Sequence, residues 1–168
     1  LEKSASPEEQ FIEYLEKNKG LIVKVAGVYC YDHDNRKDLI QDIIFQLWKS
    51  YSKFNDDYAI STWTYRIALN VSISYLRKLT TRKKTQEAYR QHAEWMHWDA
   101  PGVDERLEQL YQSIDFLKPV DKAIIVLHLD GLKNKEVAEI LGIPATNVST
   151  KLLRIKETLG KQLSTSKR

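Results

Sequence analysis

The stretch "NKEVAEILGIPATNVSTKLLRIKETL", residues 134–159, constrains the fold more than any other part of the chain. Val137, Ala138, Ile140 and Leu141 recur at helical spacing and give one short helix an apolar face. Gly142 permits a tight turn at its end, Ile143 can plug the corner, and Val148, Leu152, Ile155 and Leu159 form the inner stripe of a second helix. Ala138 is small enough for the two helices to cross at close range. This is the pattern of a helix-turn-helix. Thr146, Asn147, Thr150, Lys151 and Arg154 then face outward, the first of them near the helix N-terminus, where such a helix meets base edges. Short Thr and Asn side chains allow close approach to a major groove, and Asn pairs with adenine N6 and N7. Lys151, Arg154 and Lys156 suit phosphates. A packed hairpin with a solvated basic face is the plainer alternative. The coincidence of Ala, Gly, an apolar plug and a basic outer face favours DNA.

The rest of the chain also reads as helix, and no stretch alternates convincingly with period two. The expected class is all-α: two small helical domains over 1–81 and 105–168, joined by a linker over 82–104. A first helix starts after Pro7 and carries Phe11, Ile12, Leu15, Ile22, Val25 and Tyr29 until "YDHDN" ends it. A second, "RKDLIQDIIFQLWKSY", turns Leu39, Ile40, Ile43, Ile44 and Leu47 towards a core and Asp38, Gln41, Asp42, Phe45 and Lys49 away from it. A third is capped by Ser61 or Thr62. Beyond Leu79 the apolar pattern dissolves. It returns near Asp104, with Pro119 starting one helix and Gly131, Gly142 and Gly160 each placed to end one.

The third helix, "STWTYRIALNVSISYLRK", is apolar round most of its circumference and should be nearly engulfed. One narrow stripe of roughly 80° collects Trp63, Arg66, Asn70, Ser74 and Arg77. An aromatic plate, two guanidinium groups, an amide and a hydroxyl in a line suit unstacked bases and a single-strand backbone. Stacking contributes roughly 1 to 3 kcal/mol per base, comparable to the few kcal/mol needed to extract a base from a duplex. Trp63 has two readings, a core aromatic and a wedge against DNA; Tyr65 is expected to be buried.

Bulk composition sets outer limits. Net charge is +3, but from Ala145 onward six basic side chains accompany one acid, Glu157, so the last helix is the electrostatic candidate for phosphate. The longest apolar run, "AIIVLHL", is far short of the roughly 20 residues of a membrane span. The opening "LEKSASPEEQ" lacks the pattern of a secretory signal. Cys30 is the only cysteine, which excludes an internal disulfide and fits a reducing, cytoplasmic setting.

Three blocks, "DLIQDIIFQLW", "STWTYRIALN" followed by "YLRK", and "LDGLKNKEVAEILGIPATNVSTKLLRIKETL", closely resemble the extracytoplasmic-function sigma factors of bacterial RNA polymerase. The resemblance covers roughly Phe11 to Lys78 and Leu107 to Leu163. It implies a region 2-like N-terminal domain and a region 4-like C-terminal domain, and transcription initiation without covalent chemistry or a cofactor. It implies that Asp38, Gln41, Asp42 and Phe45 face the β′ clamp helices of core polymerase. Trp63, Arg66, Asn70, Ser74, Arg77 and Lys78 would meet the melted −10 element, with Asn70 helping to hold a flipped base. Thr146, Asn147, Ser149, Thr150, Lys151, Arg154 and Lys156 would meet the −35 duplex, while region 4 rests on the β flap. An anti-sigma factor is the implied regulatory partner.

Two other classes share parts of this pattern. A stand-alone helix-turn-helix regulator would share the C-terminal half but would not confer initiation on core polymerase. A small metal-dependent hydrolase would need a cation at Asp32, His33, Asp34 and Asp38, but a polar loop capping the next helix explains those residues more simply. His92 and His97 lack cysteine partners for zinc, and no phosphate-binding glycine loop or nucleophilic triad is present.

Overall fold

A computed structural model describes residues 5–83 and 105–165. Seven helices make up the architecture of the described residues: α1 (Pro7–Tyr29), α2 (His33–Tyr51), α3 (Ile60–Lys83), α4 (Glu105–Asp115), α5 (Pro119–Leu129), α6 (Asn134–Leu141) and α7 (Ala145–Thr165). The expected linker beyond Lys83, with His92 and His97, lies outside them.

Local chemistry accounts for most of the helix starts. Ser6 caps α1, its Oγ accepting from the Glu9 N–H while the Glu9 carboxylate accepts from the Ser6 N–H, and Pro7 occupies the first turn. The second helix begins at His33, one turn earlier than its apolar pattern suggests, because Asp32 accepts from the Asn35 N–H at 2.8 Å. The third begins at Ile60, so Ser61 and Thr62 lie in its first turn and not at its cap. Thr64 bonds back to the Ile60 carbonyl at 2.7 Å and shares a 2.6 Å hydrogen bond with the Tyr14 hydroxyl. Burial pushes the Tyr14 phenol up to about 12, so the hydroxyl stays protonated at neutral pH.

The first three helices form a bundle around Tyr14, Ile22, Val25, Leu39, Ile43, Leu47, Ala68, Leu69 and Ile73. Helix α2 turns its two faces as its periodicity requires: Leu39, Ile43 and Leu47 are buried, and Asp38, Gln41, Asp42 and Phe45 are exposed. The last four helices surround Ile114, Ala123, Ile124, Leu127, Val137, Val148, Leu152 and Ile155. Lys122, only 2 % exposed, is neutralised by Asp115 at 2.6 Å, which ties α5 to the end of α4. The two bundles touch. Helix α3 packs on α1 and α2 along one side and on α5 and α6 along the other, which is why it is apolar round most of its circumference.

The helix-turn-helix forms as its spacing requires. Val137, Ala138 and Ile140 are buried, Gly142 takes φ +67°, and the Ile143 N–H closes the corner on the Ala138 carbonyl at 3.2 Å. Gly131 likewise ends α5 with φ +84°. Gly160 does not end a helix: α7 continues to Thr165, with Gln162 and Leu163 half-buried and the Ser164 hydroxyl bonding back to the Gly160 carbonyl at 2.8 Å. Packing and these bonds outweigh the roughly 1 kcal/mol that a mid-helix glycine costs.

Candidate nucleic-acid and polymerase interfaces

The polar stripe of α3 divides into two unequal parts. Asn70, Ser74, Arg77 and Lys78 are exposed, the last of them just beside the stripe. Trp63 and Arg66 are half-buried. The Trp63 ring packs against Tyr14, Phe54 and Tyr51, with centroids at 5.8, 5.2 and 6.4 Å, so it is a member of an aromatic cluster that also includes Phe11 and Trp48. Arg66 lies over the Tyr58 ring at 4.7 Å and donates from Nη2 to the Glu139 carbonyl of α6 at 2.7 Å. Tyr65 is buried as expected, and its hydroxyl donates to Asp130 at 2.6 Å. Burial and the neighbouring carboxylate both raise the Tyr65 phenol, which keeps that donor protonated.

Between α2 and α3 runs an open groove of about 500 Å³. Asn70, Ser74 and Lys78 line it from α3, and Asp42, Phe45 and Gln46 line it from α2. The exposed end of the stripe and part of the outer face of α2 therefore meet at one depression. Phe45 is 60 % exposed, with the Lys49 ammonium 5.6 Å from its ring centre. A large apolar side chain left in water beside carboxylates and amides fits an anchor for a protein partner.

On α7, Thr146, Asn147, Ser149, Thr150, Arg154 and Lys156 are exposed along one helix whose inner residues, Val148, Leu152 and Ile155, are buried. Ser149 accepts from Asn134 Nδ2 at 3.0 Å, which links the start of α6 to α7. Lys151 is turned towards Asp121 of α5, with 3.2 Å between Nζ and Oδ1, and is half-buried. At the α1–α2 junction, Asp32 is committed to capping and the exposed His33 and Asp34 side chains lie 3.4 Å apart. Among the described residues no group of three or more His, Cys, Asp or Glu side chains is arranged to hold a metal ion.

A family model for sigma-70 region 2 matches residues 14–82, and one for sigma-70 region 4 matches residues 107–159. The chain belongs to the sigma-70 family. Together the two models cover both bundles in order. Among curated relatives, the RNA polymerase sigma-H factor of Pseudomonas aeruginosa is 24% identical over 90% of this chain and 83% of its own length. The ECF RNA polymerase sigma-E factor of Escherichia coli is 26% identical over 73% of this chain and 70% of its own. This sigma factor is of the extracytoplasmic-function type, and its partners are core RNA polymerase and promoter DNA.

Solved structures share the fold across nearly the whole chain. The sigma factor RpoE in complex with the anti-sigma factor NepR from Bartonella quintana matches with TM-score 0.73 and 20% identity, over 92% of this chain and 97% of that one. CnrH in complex with the cytosolic domain of CnrY matches with TM-score 0.69 and 17% identity, over 95% and 91%. Among the described residues no helix is long and apolar enough to cross a membrane.

Sequence reasoning missed the residues through which the sigma factor's two bundles meet. Asp130 accepts from Lys24 Nζ and from the Tyr65 hydroxyl, both at 2.6 Å, and the Tyr29 hydroxyl donates to the Pro119 carbonyl at 2.7 Å. No periodicity marks such pairs, since each partner looks like an ordinary surface charge or core aromatic within its own helix.

Proposed function

We propose that this sigma factor divides promoter recognition between its two bundles. The N-terminal bundle docks on the polymerase β′ clamp helices through Asp38, Gln41, Asp42 and Phe45. With Trp63, Arg66, Asn70, Ser74, Arg77 and Lys78 it captures unpaired bases of the −10 element. The C-terminal bundle reads the −35 element as duplex through Thr146, Asn147, Ser149, Thr150, Lys151, Arg154 and Lys156, and rests on the β flap. It performs no covalent chemistry and acts in the cytoplasm, where an anti-sigma factor restrains it, as the partners of the two solved relatives suggest. The domains implied are residues 1–81 and 105–168, joined by 82–104.

The observation that carries this reading is the groove shared by Asp42, Phe45, Asn70, Ser74 and Lys78. An amide, a hydroxyl and an ammonium open to solvent at one depression offer hydrogen bonds to a base edge and a cation to its phosphate. The adjoining α2 face would place that depression next to the enzyme that uses the opened strand. Trp63, packed among rings, would serve as a rigid wall supporting the start of α3, with its remaining exposed edge towards DNA.

The test is run-off transcription with purified core polymerase and no other initiation factor. Specific initiation is expected. Duplex binding without initiation would instead make the chain a stand-alone helix-turn-helix regulator.

A further inference from the structure

Helix α7 is tied down by polar side chains on both flanks of its buried stripe. Val148, Leu152 and Ile155 form that stripe. At about 100° per residue, Lys151 lies roughly 70° to one side of its centre and Ser149 roughly 90° to the other. Each flank meets a different helix. Ser149 Oγ accepts from Asn134 of α6 at 3.0 Å and donates to the Ala145 carbonyl at 3.1 Å. The Lys151 ammonium donates to Asp121 Oδ1 of α5 at 3.2 Å. Between the two ties, Thr146, Thr150 and Arg154 are left exposed.

Asp121 stands in the first turn of α5, where a carboxylate suits the helix dipole. That role alone would leave it facing water. Instead its side chain is 20% exposed and meets a cation 30 residues along the chain. Arg154 and Lys156 are exposed and form no ion pair among the described residues. Of these three cations on α7, only Lys151 is therefore already committed within the protein. Two consequences follow for a helix that reads duplex. Sequence-blind affinity grows with the number of phosphates neutralised, and a cation held by a protein carboxylate does not add to it. Rotation of α7 by roughly 20° about its own axis, at a radius of about 5 to 6 Å, would move side-chain tips by about 2 Å and break hydrogen bonds to base edges.

We propose that Asp121 is a specificity-determining residue: it holds Lys151 as a post between α5 and α7, which fixes the rotation of the recognition helix and keeps that ammonium off the DNA backbone. This rests on the assignment of α7 to the −35 duplex and refines it, since Lys151 then serves the reading by positioning the helix and not by gripping phosphate.

The test is a double-mutant cycle on the full chain, read as the slope of log K against log salt for a random-sequence duplex pool. Lys151→Ala alone is expected to leave the slope unchanged. Asp121→Asn is expected to steepen it by about 0.9 and to tighten pool binding roughly three- to tenfold at 0.1 M salt, as the freed ammonium reaches a phosphate. Adding Lys151→Ala to Asp121→Asn should return the slope to that of the unaltered chain. Asp121→Glu, which keeps a carboxylate within reach, should behave as the unaltered chain does. In parallel, preference for a duplex enriched from the same pool by the unaltered chain is expected to fall at least threefold in Asp121→Asn and to be retained in Asp121→Glu. A slope lowered by Lys151→Ala alone, or a steepening in Asp121→Asn that survives Lys151→Ala, would overturn the hold on Lys151. Unchanged preference in Asp121→Asn would overturn the role in specificity and leave the duplex assignment intact. A pool from which the unaltered chain enriches no sequence would overturn the duplex assignment itself, and the role in specificity with it.

Discussion

Helices α3 and α7 are both DNA-facing candidates, yet they present themselves in opposite ways. On α7 the polar face is open from Thr146 to Lys156, and only Lys151 leans back towards a protein carboxylate. On α3 the first part of the face is occupied, Trp63 by aromatic rings and Arg66 by Tyr58 and the Glu139 carbonyl, while Asn70, Ser74, Arg77 and Lys78 remain open. The difference is in keeping with the substrate proposed for each. A duplex groove exists before binding and can be entered by a rigid, preformed helix. An unpaired base exists only after a cost of a few kcal/mol has been met, so a surface for it can stay partly covered until polymerase and promoter are in place.

The comparison can be broken most forcefully from the core. Leu152→Ala empties the packing behind the recognition helix and is expected to cost about 2 to 5 kcal/mol, read as a lower thermal midpoint. It should weaken −35 duplex binding far more than capture of an unpaired strand. Equal losses on both substrates would show that the two faces do not act separately. A smaller effect is expected from Asn147→Ala, about 1 to 3 kcal/mol of discrimination at a single base pair, measured by binding to duplexes varied one position at a time. Uniform weakening across that series would make Asn147 a backbone contact. Smallest in sequence terms is Arg154→Gln, which should weaken duplex binding alike on every sequence and lower the slope of log K against log salt by about 1. A loss confined to one sequence would move Arg154 to the base edges.

Much of the fold was legible because it is local. Val137, Ala138, Gly142, Ile143 and Val148 declare the helix-turn-helix through spacing alone, and the apolar girth of α3 announced a helix packed on several sides. The start of α2 lies a turn before its apolar pattern begins, because the Asp32 cap is a polar signal that apolar periodicity does not carry. Gly160 looks like a terminus in the sequence, since its intrinsic cost shows there while the packing that offsets it does not. Among site residues, the exposure of Asp38, Gln41, Asp42 and Phe45 follows from helical phase, and so does that of Asn70 and Ser74. The occupation of Arg66 does not. It depends on a helix far away in the chain, and Glu139 carries no local sign that its carbonyl meets Arg66.

The most direct measurement is permanganate reactivity of −10 thymines in complexes of core polymerase, promoter and either the unaltered chain or Asn70→Ala, with protection at −35 followed on the same DNA. The expected result is strong −10 reactivity for the unaltered chain, and for Asn70→Ala a loss of roughly 10- to 100-fold in open complexes, equivalent to about 1 to 3 kcal/mol for one stacked and hydrogen-bonded base, with −35 protection retained. Full −10 reactivity with Asn70→Ala would contradict the assignment of α3 to the unpaired strand.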